Sequence, residues 1–149
     1  MAVAIGSDHG GFLLKENLKE FLEEQNIDFT DFGSFSTEAT DYPDIALKIA
    51  KSVASGDCEK GIIICGTGIG VCIAANKVRG IRAALCHDVF SAQMTRKHNN
   101  SNILTMGERV IGAGLAIEIV KTWLETEFEG GRHDRRIEKI GNIEKSEMN

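Results

Sequence analysis

Apolar positions along this chain follow two alternating rhythms. Short continuous runs such as Gly61-Ile62-Ile63-Ile64-Cys65 have the length and β-branched content of buried strands, and between them apolar residues recur every three or four positions, as on one face of a helix. Ala2 to Gly6 predicts a first strand, and Phe12 to Gln25 a helix with Leu14, Leu18, Phe21 and Leu22 on one face. A weaker strand near Asp28 to Phe32 leads through a loop to a helix near Pro43 to Ser55, whose proline sits in the first turn, where a missing N–H costs nothing. The run at 61–65 predicts a central parallel strand buried on both faces, followed by a glycine-rich turn and a short helix to about Asn76. A strand at Ile81 to Cys86, a helix near Val89 to His98, a strand at Asn102 to Met106 and a long helix near Gly112 to Phe128 complete five strand-then-helix units. That order predicts an α/β fold with three α/β/α layers around a five-stranded parallel sheet.

Residues 1–149 show no internal boundary and are expected to form one domain. After Gly130-Gly131 the composition shifts to a charged C-terminal tail, 130–149, in which Ile137, Ile140 and Ile143 predict a helix with a narrow apolar stripe. Such a stripe needs a surface to cover it, either on its own domain or on a neighbouring subunit.

At 149 residues, 42% of them hydrophobic, the chain can build a core without disulfides. A net charge of −5 argues against a broad nucleic-acid surface, though not against a phosphate held by a few arginines and backbone N–H groups. Neither a secretory leader nor an apolar run long enough to span a membrane is visible, so a cytoplasmic protein is expected. The cysteines at 58, 65, 72 and 86 lack CxxC or zinc-finger spacing and are expected to be free thiols; the four histidines and the acids show no metal-ligand spacing, so no metal and no cofactor are expected.

In open parallel sheets ligands bind beyond the carboxyl ends of the strands. There the sequence places Ser7-Asp8-His9-Gly10-Gly11, Cys65-Gly66-Thr67-Gly68-Ile69-Gly70, Cys86-His87-Asp88 and Gly107-Glu108-Arg109. The turn at 66–70 can present backbone N–H groups to an anion or a developing oxyanion. Cys65 could simply close a buried strand, but beside those donors a thiolate is favoured and could remove a carbon-bound proton. His9 could bind a hydroxyl or phosphate, or lie in a turn where Asp8 caps the next helix. His98 and Asn99 could end a helix or supply an acid/base and an amide. Arg132, Arg135 and Arg136 could be a solvated face or a fork for a phosphate dianion. A dinucleotide site is the alternative use of the glycine turn; Asp88 falls where a ribose-binding acid would, but Val71 replaces the third glycine.

Taken together, GSDHGG at 6–11, DYPD at 41–44, CGTGIG at 65–70, KHNNSN at 97–102, GERVIG at 107–112 and GGRHDRRI at 130–137 resemble ribose-5-phosphate isomerase type B almost from end to end. The family also includes galactose- and allose-6-phosphate isomerases. The resemblance implies a Rossmann-like, metal-independent enzyme, a homodimer or homotetramer with active sites shared between subunits. It makes Cys65 the base that moves a proton between the first two sugar carbons, with Thr67 assisting at the oxygens and Gly66, Gly68, Ile69 and Gly70 forming the anion hole. It assigns ring opening to His98, helped by Asp8 and Asn99, and the sugar site to Asp41 and Tyr42. His9, Arg109, Arg132 and Arg136 would hold the phosphate, some of them from the neighbouring subunit. Some relatives carry a glutamate base on the helix after the glycine turn, where this chain has VCIAAN, so the cysteine branch fits. The implied reaction is the interconversion of ribose 5-phosphate and ribulose 5-phosphate through a cis-enediolate, in pentose phosphate metabolism. A hexose 6-phosphate substrate, or a nucleotide-binding module, are the alternatives.

Overall fold

In the computed structural model, which describes residues 2–148, five strands form one parallel sheet: β1 (Val3–Ser7), β2 (Phe29–Asp31), β3 (Lys60–Cys65), β4 (Ala83–Leu85) and β5 (Ile103–Gly107). They are ordered β2-β1-β3-β5-β4, with Val3 beside Lys60, and Cys65 beside Gly107. The helices are α1 (Phe12–Glu24), α2 (Tyr42–Ser55), α3 (Ile69–Ala75), α4 (Val89–Asn99), α5 (Ala113–Glu125) and α6 (Arg132–Glu147). The three-layer arrangement expected from the strand and helix order is present.

The period-two geometry of the strands divides the core in two. Ile5, Ile62, Ile64, Leu104 and Met106 meet Leu18 and Leu22 of α1 and Ile119, Val120 and Trp123 of α5. Ala4, Ile63, Cys65 and Ile103 face the other way, onto Ile49 and Ala50 of α2 and Val71 and Ala75 of α3. Because β3 faces helices on both sides, its isoleucines are fully buried, which is why its sequence is continuously apolar rather than alternating.

Chain direction decides where a site can form. The connection after β1 leaves toward β2 at one edge, whereas that after β3 leaves toward β4 at the other. The carboxyl ends of β1 and β3 therefore flank the switch point, where diverging loops leave a crevice.

Three boundaries differ from the sequence reading. The strand expected at 81–86 narrows to Ala83–Leu85 at the sheet edge. The helix expected to reach Phe128 stops at Glu125, because Thr126 is extended and its carbonyl accepts a hydrogen bond from Arg96 Nε at 3.1 Å. Asp8 caps a 3-10 turn at His9–Gly11 instead of α1; the start of α1 is held by Glu108, whose Oε1 accepts from Leu14 N–H at 2.7 Å. Among the described residues no helix is long and apolar enough to cross a membrane.

Candidate active site

Cys65 closes β3 at the switch point, 6% exposed, and its Sγ accepts a hydrogen bond from Gly68 N–H at 3.1 Å. The intervening turn doubles back because Gly68 has a φ of 77°, and a Cβ there would lie 2.7 Å from the Met106 carbonyl carbon. Thr105 Oγ1 donates to Gly68 O at 2.8 Å and anchors the turn on β5. Thr67 Oγ1 accepts from Ile69 N–H at 3.2 Å, leaving its own hydrogen to point outward. α3, which follows, has only seven residues, so the N–H contacts themselves matter more here than a helix macrodipole.

The rest of the crevice assembles around this turn. From β1, the Asp8 carboxylate accepts from Gly10 N–H at 2.9 Å, and a Cβ on Gly10 would sit 3.3 Å from Gly66 N, so the two loops touch. His9 Nδ1 accepts from Thr40 N–H at 3.1 Å, which places the proton of the neutral ring on Nε2. Tyr42 opens α2 directly after Asp41, and its ring lies so close to Gly70 that a Cβ there would come within 2.5 Å of it. Arg109, past β5, stands over Gly66, its Nη1 3.5 Å from where a Cβ would be. Asp8, His9, Asp41, Tyr42, the segment Cys65 to Gly70 and Arg109 thus gather at the carboxyl ends of β1, β3 and β5.

Cys86 and Cys72 have different surroundings. Burial, then Asp88 and Cys72, push the Cys86 thiol up to about 12, and burial raises Cys72 as well. Beside them His87 Nε2 accepts from Gly107 N–H at 2.9 Å, and burial lowers its pKa.

The remaining expected site residues lie at the opposite end of the sheet. A helix returning to a parallel strand runs antiparallel to it, so α4 carries His98 and Asn99 to the amino ends of the strands: Asn99 O accepts from Arg82 Nε at 3.0 Å, and Asn102 O accepts from Gly61 N–H at 2.9 Å. From Gly61 to Cys65 is about 13 Å of strand. Arg132 and Arg136, on α6, are exposed near the same end, where Glu129 N–H donates to Lys97 O at 3.2 Å. Within one chain, His98, Asn99, Arg132 and Arg136 are therefore separated from Cys65.

α6 itself lies partly on its own chain. Gly80 N–H donates to Glu144 Oε1 at 2.7 Å, and Arg79 bonds the Met148 carbonyl. Ile137, Ile140 and Ile143 face a groove walled by Asn76, Ile81 and Ala83, yet Ile140 and Ile143 remain 47% and 62% exposed.

Two features escaped the sequence reading. His133 is buried and its ring stacks on His98 with centroids 4.4 Å apart; burial, then His98, Arg132 and Arg136, lower its pKa. Its place four residues before Ile137 puts it on the apolar stripe, a signal that was available. Lys15 is fully buried beneath the loop leading to Tyr42, its Nζ bonded to both Asp31 oxygens at 2.9 Å and to Ser34 O. It falls one turn before Leu18 and Leu22 on the buried face of α1.

The Ribose/Galactose Isomerase family model matches residues 3–140. Ribose-5-phosphate isomerase B of Escherichia coli (strain K12) is 49% identical over 142 residues, 95% of this chain and 95% of that one. The solved structure of Clostridium thermocellum ribose-5-phosphate isomerase B superimposes with a TM-score of 0.97 at 55% identity, covering 98% of this chain and 99% of that one. Ribose-5-phosphate isomerase B of Mycoplasma genitalium, solved with bound ribulose-5-phosphate, gives a TM-score of 0.92 at 42% identity, covering 97% and 96%. With a family match spanning nearly the whole chain and a superimposable fold, this chain belongs to the ribose/galactose isomerase family.

Proposed function

We propose that the protein interconverts D-ribose 5-phosphate and D-ribulose 5-phosphate through a cis-enediolate, with Cys65 as the base. The observation that carries this reading is the Cys65 sulfur at the switch point, hydrogen-bonded by Gly68 N–H in a chain of this family. In the open-chain aldose the thiolate takes the proton from C2, a proton passes from O2 to O1, and the thiol returns its proton to C1. The Thr67 hydroxyl assists at the oxygens. Backbone N–H groups of the turn from Gly66 to Gly70 meet the enediolate oxygen, and one such donor is typically worth about 10²–10³ in rate.

Binding energy from the remote phosphate positions the sugar for this transfer. His9, with its proton on Nε2, and Arg109 serve as phosphate donors from the Cys65 end, while Asp41 and Tyr42 line the sugar. Arg132 and Arg136 complete the phosphate site, and His98, aided by Asp8 and Asn99, opens the ring. Because His98, Asn99, Arg132 and Arg136 stand at the far end of the sheet from Cys65, a second copy of the chain supplies them, in a homodimer or a homotetramer built from such pairs. Ile69, Ile73, Phe90 and Val110 fit this assembly: each is more than half exposed beside the carboxyl-end loops.

A coupled comparison of kcat/KM for ribose 5-phosphate, allose 6-phosphate and galactose 6-phosphate tests the assignment. Ribose 5-phosphate should lead by at least about tenfold, the usual scale of discrimination by pocket size. A hexose phosphate in the lead overturns the pentose assignment, and binding of NADH without turnover of any sugar phosphate overturns the enzyme reading.

A further inference from the structure

We propose that His98, His133 and Glu129 form a binding site for a divalent transition-metal ion of the zinc class, and that the bound ion inhibits by occupying His98. The three side chains each offer one ligand atom, and these atoms lie within 4.8 Å of one another. Two imidazoles and a carboxylate suit zinc, with water as a fourth ligand. No sequence motif announces the set, because His98 comes from the last turn of α4 while Glu129 and His133 bracket the Gly130-Gly131 entry to α6.

An independent observation points into the cluster. His133 is only 4% exposed, yet its Nε2 has no hydrogen-bond partner among the described residues. A buried ring nitrogen without a partner loses its hydration for nothing, a state that a ligand relieves. The nearest candidate partner is the Glu129 carboxylate, with Oε2 3.7 Å from Nε2. Adjacent ligands of a tetrahedral zinc stand about 3.4 Å apart, given metal–ligand bonds of about 2.1 Å, so the pair needs little movement. His98 must turn further, since its ring is stacked on His133 at an interplanar angle of 20°. It is only partly buried and its side chain makes no hydrogen bond among the described residues, so the turn breaks no bond. Arg132 and Arg136 flank His133 on the same helix and oppose a cation, which weakens binding relative to a structural zinc site.

The inhibitory part rests on the ring-opening role proposed for His98: a nitrogen bound to metal cannot pass a proton to or from the sugar ring. The site itself does not depend on that role, so the experiment reads the two separately. Zinc is titrated against the full-length wild type, Glu129→Gln, His133→Phe and Cys65→Ala by competition with a chromogenic chelator. Wild type and Cys65→Ala should bind one zinc per chain, and Glu129→Gln and His133→Phe should bind at least about tenfold more weakly. His133→Phe keeps a stacked ring but no ligand atom; Glu129 is half exposed, so its variant stays interpretable if the buried substitution disturbs folding. Cobalt in place of zinc should give tetrahedral absorption without a thiolate charge-transfer band. Unchanged affinity in Glu129→Gln, or a charge-transfer band that disappears in Cys65→Ala, overturns the site. In kinetics, zinc should slow the wild type more than Glu129→Gln, and more with ribose 5-phosphate than with open-chain ribulose 5-phosphate. Metal binding as expected with equal slowing of both substrates leaves the site in place and overturns the ring-opening role of His98.

Discussion

Gly68 N–H reaches the Cys65 sulfur at 3.1 Å only because the Gly68 backbone is left-handed, with φ at 77°. Alanine at 68 would carry that strain and drive its Cβ into the Met106 backbone. We expect Gly68→Ala to lose about 2 kcal/mol of stability or more in urea denaturation. Its kcat should fall well beyond any change in KM, since the donor to Cys65, the proposed base, shifts. Wild-type kcat in a stable Gly68→Ala would separate the turn from the chemistry.

Cys65→Ala removes a small buried side chain and leaves the turn's backbone intact. It should fold, bind sugar phosphate and lose nearly all isomerisation. Substantial turnover by this variant, measured in a coupled assay, would mean that another group is the base.

The distance between Cys65 and His98 within one chain makes complementation a direct assay of assembly. Cys65→Ala and His98→Ala chains should each be inactive with ribose 5-phosphate. Co-refolded in equal amounts, half of the pairs are mixed and each mixed pair holds one intact site, so about a quarter of wild-type activity should return. No recovery, with mixed pairs verified by native mass spectrometry, would place all site residues in one chain. His98→Ala alone should be impaired less with ribulose 5-phosphate, which needs no ring opening.

Arg132 and Arg136 are exposed and make no ion pair among the described residues, leaving both guanidinium forks free. Replacing either by Ala should raise KM for the sugar phosphate about tenfold or more, the value of a charge-assisted hydrogen bond. Lys should rescue only partly, because an ammonium lacks the planar fork. Truncation after Gly131 should abolish phosphate affinity and lower the sedimentation coefficient; a normal KM with unchanged sedimentation would make the tail a solvated appendage.

Burial alone would raise the pKa of Asp31, but hydrogen bonds from Lys15, Lys19 and Gly33 N–H outweigh it and hold its carboxyl below the usual carboxylate range. A depressed folded pKa means a stabilising contribution that is complete above the unfolded value, about 3.9, and disappears as pH falls through the folded one. Stability in urea should therefore drop below about pH 4 in the wild type, and Asp31→Asn should be less stable at pH 7 with a flatter acid limb. Parallel acid limbs would assign that loss to other carboxylates.

Element type was legible almost throughout, because β3 carries three consecutive isoleucines and α1, α2 and α5 carry clear apolar faces. Strand order was not, since a crossover helix does not announce which neighbour its strand will pair with. The separation of His98 from Cys65 was legible in principle: His98 ends a helix that precedes a parallel strand, and such a helix must finish at the strand's amino end. Motif matching obscures this, because it gathers residues by role and ignores which end of the sheet they occupy. Lys15 was hidden for another reason. A lysine on a buried helix face is unexpected until Asp31, sixteen positions away, is seen to meet it.

The 6% exposure of Cys65 also has a bearing on redox behaviour. Disulfide exchange needs the attacking sulfur in line with two others, a long approach through open space, whereas proton transfer needs only a hydrogen atom at contact distance. Cys65 packs in one half of the core with Ile63 and Val71, and the glycine turn folds back onto its sulfur, which obstructs the first. That geometry suits this sulfur to the proton transfer proposed for it and shields it from thiol exchange.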